Sequence, residues 1–331
     1  MVLWHDSGVS WAQTQSEILQ READAGRTLA SGHPFDGLGL HYGGGGPFQG
    51  FSNCAYTTPS QAQEQWVHDQ GSIPVVSWSP NDSLAQINAG NADGCIKAVA
   101  DYELGFNFTV MLRILWEFQS NFLWVGCGQP YVDAYQRFVN LFKSEAMRLG
   151  RPMNVGFIWS PQEPIINCPG GSTREASYPG DSYVDWIGSD RYNSNGCDNG
   201  ACYSTPCHGG WAEWWELFNY TGNCTSTADP DVYTAWSSHK PFIPMETGSK
   251  YDLNDPNHKA NWFRNIYLDP RGIESMQYAI GIEFFDQFAT AGSDDWFVDH
   301  NQPAGTNIEG TVDPMTYQGF KDLAASSVFN P

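Results

Sequence analysis

Basic residues are scarce in this chain. Sixteen Lys and Arg stand against 37 Asp and Glu, for a formal charge of −21. Such a balance repels polyphosphate and anionic lipid. Nucleic acid and acidic membrane surfaces are therefore excluded as partners, and substrates without negative charge are favoured. Long apolar runs are missing too: no stretch reaches the roughly 20 residues that span a bilayer, so no membrane partner is expected. Met1-Val2-Leu3-Trp4 carries no signal-peptide pattern and reads as a mature or recombinant start. No linker or low-complexity stretch divides the chain. One domain over residues 1–331 is expected.

What is abundant points elsewhere. Aromatics make up 15% of the residues, 14 of them Trp, more than a core usually requires, and exposed aromatic platforms are a common way to hold sugar rings. Eight cysteines, several in loops, favour an oxidising compartment and hence secretion. They allow 105 pairings, so connectivity stays open. Cys197, Cys202, Cys207 and His208 invite a zinc reading, but no C-x2-C pair is present and no metal is expected. Sequons stand at Asn81, Asn107, Asn219 and Asn223.

Short apolar runs recur along the chain. They are Leu3–His5, Gly37–Tyr42, Ile73–Trp78, Thr109–Glu117, Asn154–Trp159, Val184–Asp190, Pro241–Glu246 and Ala279–Asp286. Runs without alternation fit strands buried on both faces. Helical patterns lie between them, clearest over Gln15–Leu29, Tyr131–Leu149 and Asn257–Tyr267, the second stopped by Gly150 and Pro152. Alternating strands and helices make a parallel sheet, and eight strands predict a single α/β (β/α)8 TIM barrel with its site at the C-terminal strand ends. Loops at Gly43–Ser60, Asn121–Pro130, Gln162–Ser182 and Tyr192–Gly210 read as cleft walls stapled by disulfides.

Two of those strands, the fourth and the seventh, end in glutamate: Glu117 and Glu246. Paired carboxylates at strand ends suit retaining glycoside hydrolysis, in which one acid protonates the leaving oxygen and the other attacks the anomeric carbon. Glu117 is the candidate acid/base and Glu246 the candidate nucleophile. Alternation places residues 113, 115 and 117 on one face, so Arg113 is expected beside the carboxylates, paired with Glu117 or holding the nucleophile ionised.

The segment Leu112-Arg113-Ile114-Leu115-Trp116-Glu117-Phe118-Gln119 resembles the acid/base segment of glycoside hydrolase family 26. Asn154 to Pro161 is similar to the family's fifth-strand segment, Tyr178-Pro179-Gly180-Asp181 through Gly188 to the run before the sixth strand, and Lys240 to Ser249 to its nucleophile segment. The resemblance implies a (β/α)8 barrel, retention, Tyr192 near the nucleophile and Trp159 lining the cleft. It departs from the family at Trp116, where the usual residue is His, and at Gln119, where it is Asn. Trp78, Trp124 and Phe285 complete the candidate substrate contacts. The implied protein is a secreted, monomeric endo-β-glycoside hydrolase without cofactor or carbohydrate-binding module. Its partner is a neutral polysaccharide or oligosaccharide, β-mannan first. The alternatives are xylan or β-glucan as substrate, or a non-catalytic glycan-binding barrel.

Overall fold

A computed structural model describes residues 2–4, 15–16, 19–20, 22–23, 58–71, 73–80, 82–119, 125–162, 172–193, 197–198, 201–202, 213–218, 232–249, 255, 257–275, 277, 279–285 and 313–326. The strands are β1 (Val2–Trp4), β2 (Val75–Ser77), β3 (Val110–Arg113), β4 (Val155–Trp159), β5 (Trp186–Asp190), β6 (Cys197–Asp198), β7 (Ala201–Cys202), β8 (Phe242–Glu246) and β9 (Glu283–Phe285). Seven of the eight expected runs contain a strand, and the eighth, Gly37–Tyr42, lies outside the described residues. The helix expected over Gln15–Leu29 is described at only six positions, all helical. The chain divides into a central unit, Leu38–Asp190 with His239–Pro241, and a flanking unit made of the rest.

The central unit is built on a parallel sheet in the order β2-β3-β4-β5, with Val75 opposite Met111, Val110 opposite Val155 and Ile158 opposite Trp186. Every residue of β2 and β3 is buried. That explains why these strands read as continuous apolar runs rather than as alternation. The helix Gln129–Leu149 lays Tyr131, Tyr135, Phe138 and Phe142 into this core, and Gly150 ends it at φ 63°, a left-handed turn that glycine adopts without strain. Phe138 packs its ring 5.4 Å from those of Trp78 and Phe142, and Phe142 meets Phe157 edge-on at 5.4 Å. Two further helices, Thr58–Asp69 and Asp93–Glu103, bring Glu64 and Glu103 together out of water, both fully buried. Burial, then the neighbouring Glu103, pushes the Glu64 carboxyl up to about 10.

In the flanking unit β1 and β9 pair in parallel. β8 runs parallel beside β9, bridged at Thr247–Phe284 and Phe242–Ala279. The helices His258–Leu268 and Pro314–Ala324 cover this group with a cluster of Phe263, Phe284 and Phe320, ring centroids 5.5 to 5.9 Å apart. They approach closely at Gly319, where a Cβ would sit 2.5 Å from the Ala260 carbonyl oxygen. Asp313 caps the second helix, accepting hydrogen bonds from the Met315 and Thr316 amides. β6 and β7 form an antiparallel hairpin with Cys197 opposite Cys202, inside a stretch expected to be loop. Among the described residues no helix is long and apolar enough to cross a membrane.

Candidate active site

In the central unit β3 ends at Arg113, four residues short of Glu117. The regular strand expected up to Glu117 is corrected here, and with it the alternation argument that put residues 113, 115 and 117 on one face. Instead the chain turns, and Leu115 and Glu117 take φ values of 49° and 45°. Left-handed backbone at a residue other than glycine is strained by about 1 kcal/mol or more, and it persists only where the surroundings impose it. They do so here. The Leu115 amide donates to Ser79 Oγ at 2.6 Å, and the Tyr131 hydroxyl donates to the Leu115 carbonyl at 3.1 Å. The Glu117 amide donates to the Ser160 carbonyl, and the Gly126 amide to that of Phe118, both at 2.9 Å. Burial pushes the Tyr131 phenol well up, so it stays protonated and keeps donating. Glu117 thus rides, partly exposed, on a turn tied down from several directions.

Arg113 is fully buried and pairs with Asp190, at the end of β5. Ser160 donates to the other oxygen of the same carboxylate at 3.2 Å. Removing either member of such a buried pair would strand a charge out of water. The guanidinium also lies 5.5 Å from the centre of the Trp116 ring, which is buried against it. Gln119 turns inward as well. Its Nε2 donates to the Gln162 carbonyl and its Oε1 accepts from the Gln162 amide, each at 3.1 Å. A side chain expected to touch substrate is instead held by backbone.

Trp78 and Trp159 also depart from expectation. They are 1% and 0% exposed. Trp78 packs on Phe138, and Trp159 lies between Phe118 at 6.1 Å and Tyr178 at 5.1 Å. Apolar rings at strand ends lower their energy by leaving water, and these two are core rather than open platforms. Trp124 lies outside the described residues. Phe285 ends β9, and its side chain is not among those described.

In the flanking unit Glu246 closes β8 and is 7% exposed. The Tyr192 hydroxyl donates to its Oε2 at 2.8 Å, so Tyr192 stands where it was expected, beside this carboxylate. Backbone pairing sets the position: the Arg191 amide donates to the Glu246 carbonyl and the Asn193 amide to that of Gly248, both at 2.9 Å. Asn193 Nδ2 adds a 2.8 Å bond to Ser249 Oγ, and Arg191 Nη1 donates to the Leu217 carbonyl at 2.6 Å.

Asp190, Ser160 and Ser79 were missed as site residues. An acid closing a buried strand was a visible signal for Asp190. Nothing in the sequence marked the two serines.

The profile of glycosyl hydrolase family 26 matches residues 82–274, a span that contains both glutamates. Endoglucanase H of Acetivibrio thermocellus is 24% identical over 214 residues, which cover 61% of this chain and 20% of that protein. The chain therefore spans about a fifth of that relative's length. A β-mannanase from a symbiotic protist of the termite Reticulitermes speratus, solved with a gluco-manno-oligosaccharide, superimposes with a TM-score of 0.58 at 13% identity, covering 99% of this chain and 86% of that one. The YdhT protein of Bacillus subtilis superimposes with a TM-score of 0.51 at 14% identity, over 86% and 77% of the two chains. These likenesses establish a shared fold, and the profile match over more than half of the sequence establishes that the chain belongs to glycosyl hydrolase family 26.

Proposed function

We propose that this chain is a secreted, endo-acting, retaining β-glycoside hydrolase folded as one (β/α)8 catalytic domain, with β-mannan as its substrate. The observation that carries the reading is that one family match spans both glutamates, each at the C-terminal end of a parallel strand or on the turn that follows it. Glu246, held by the Tyr192 hydrogen bond, attacks the anomeric carbon. Glu117 gives its proton to the leaving oxygen, and the sugar–oxygen bond breaks as the glycosyl–enzyme ester forms. Water then attacks the anomeric carbon of that intermediate, loses its proton to Glu117, and the bond from that carbon to the Glu246 oxygen breaks, releasing Glu246. A retaining mechanism of this kind calls for carboxyl groups about 5–5.5 Å apart.

The named activity of the termite protist enzyme supports mannan, and that of endoglucanase H keeps β-glucan as the alternative, with xylan beside it. Secretion is supported by the cysteines: Cys95 and Cys127 carry disulfide-bonded sulfurs, chemistry that persists in an oxidising compartment. The surface charge of −21 suits a neutral polymer as partner.

The test is a polymer panel of galactomannan, glucomannan, xylan and mixed-linkage glucan, with products sized for the wild type, Glu117→Ala and Glu246→Ala. Internal cleavage of one polymer, lost in both variants, is expected. Azide should then rescue Glu246→Ala to give an α-glycosyl azide and Glu117→Ala to give a β-azide. Turnover that survives Glu246→Ala would refute the assignment.

A further inference from the structure

At the opposite end of the central sheet from Arg113, Trp159 and Asp190 lies an open groove of about 360 Å³, bounded by residues at the start of β3 and β4, by Ser182, Tyr183 and Asp185 ahead of β5, and by the helix Gln129–Leu149. That volume falls within the range of small-molecule sites, about 300–1,000 Å³. Nothing in the chemistry of the two glutamates uses it.

Its lining is chemically specific. Lys143 and Asp185 bring one charge of each sign, so the groove is neutral overall and suits neither an anion nor a cation. Both charged groups are held in place. Lys143 Nζ donates to the Ser182 carbonyl at 3.0 Å and stands 4.9 Å from the centre of the Tyr183 ring, while Asp185 Oδ2 accepts from the Phe157 amide at 2.8 Å. One Asp185 oxygen and two ammonium protons are left for a ligand. Thr109 and Ser182 add hydroxyls at exposed positions. Met153, 38% exposed, and the partly exposed Tyr183 supply apolar surface. Fixed hydrogen-bonding groups of both kinds beside modest apolar area, without net charge, match a sugar ring: hydroxyls around the edge, C–H bonds on the faces.

We propose that this groove is an auxiliary saccharide-binding site that holds a segment of neutral polysaccharide away from the point of cleavage. The inference rests on the reading of the chain as a polysaccharide hydrolase and extends it. A second attachment point raises retention on a polymer by mass action without altering cleavage of a short chain that reaches only one site.

The experiment is affinity electrophoresis through native gels containing galactomannan or glucomannan, in a Glu246→Ala background so that the polymer survives. Tyr183→Ala removes apolar surface. Thr109→Arg sets a long side chain at the mouth from an exposed position where the fold is not at stake. The expected result is that each variant weakens polymer retardation about tenfold, while the same substitutions in the active enzyme leave hydrolysis of a short manno-oligosaccharide unchanged. Thr109→Arg decides the matter if Tyr183→Ala melts early. Unchanged retardation in Thr109→Arg overturns the inference, as does an equal loss of short-chain hydrolysis. Failure of the functional reading looks different: the unsubstituted chain would cut no polymer at all.

Discussion

Glu64 gives a sharp test of how burial is charged against folding. In the folded chain its carboxyl sits out of water beside Glu103, and its pKa is pushed up to about 10 from an ordinary 4.5. The unfolded chain ionises it at the ordinary value. A group whose folded pKa is raised contributes stability that is fully present below the unfolded pKa. That stability is lost as pH rises toward the folded value. Between pH 4.5 and 10 the loss runs at about 1.4 kcal/mol per pH unit, so at pH 7 it has reached about 3 kcal/mol.

Glu64→Gln keeps a donor toward Glu103 and removes the titration. Unfolding entropy of about 2.1 cal/mol/K per residue over 331 residues gives roughly 0.7 kcal/mol/K, so 3 kcal/mol corresponds to about 4 °C. Thermal melts of both proteins from pH 4.5 to 8.5 are the assay. The Tm of the variant relative to the wild type should climb by about 4 °C between pH 4.5 and 7 and continue upward. A constant offset across that range would show that the pair does not hold a proton in the fold, and the reasoning would be wrong.

Three further outcomes follow from the geometry. Tyr192→Phe removes the 2.8 Å donor to Glu246; at about 1.5–3 kcal/mol for a bond to a charged group, kcat/KM should fall tenfold to a hundredfold. Arg113→Met leaves the buried Asp190 carboxylate without its cation and should lower unfolding stability by about 3–5 kcal/mol, read from urea denaturation, with partial recovery in Arg113→Met/Asp190→Leu. Gly319→Ala forces a methyl to within 2.5 Å of the Ala260 carbonyl and should destabilise by about 1–3 kcal/mol or more, visible as a lower Tm.

Much of this architecture was legible because burial on both faces leaves a plain mark. β2 and β3 are apolar throughout their length, and the helix Gln129–Leu149 carries its aromatic stripe and its stop at Gly150 in full view. Glu246 was legible for another reason, because it closes an apolar run, whereas Tyr192 was expected beside it only from the resemblance to family 26. The turn after β3 was not. Neither Leu115 nor Glu117 is a residue that favours left-handed backbone, and the contacts that impose it come from Ser79, Tyr131 and Ser160, far away in sequence.

Arg113 illustrates a related limit. Alternation assigns a face, but the carboxylate that meets the guanidinium belongs to β5, two strands away. Gln119 was expected at the substrate because it stands where family 26 usually has Asn after the acid, and its capture by the Gln162 backbone has no sequence signature. Tryptophan abundance could not separate a platform from a core ring, and Trp78 and Trp159 proved to be the latter.

The division of the chain also bears on the order in which it is made. The central unit is almost one continuous stretch, Leu38–Asp190, closed by three residues at His239–Pro241. A nascent chain can therefore complete that unit while the residues beyond Pro241 are still unsynthesised, because domains form as their sequence emerges. The flanking unit has no such freedom. Its β1 strand must wait for β9, and Phe263 and Phe284, already beside Trp262, gain their contact with Phe320 only when the helix Pro314–Ala324 is made. During that interval the strand that ends in Glu246 stands beside an aromatic cluster that lacks one of its rings. A stalled ribosome or an early stop codon would thus release a chain with a finished half and a sticky one, a species whose fate is to aggregate.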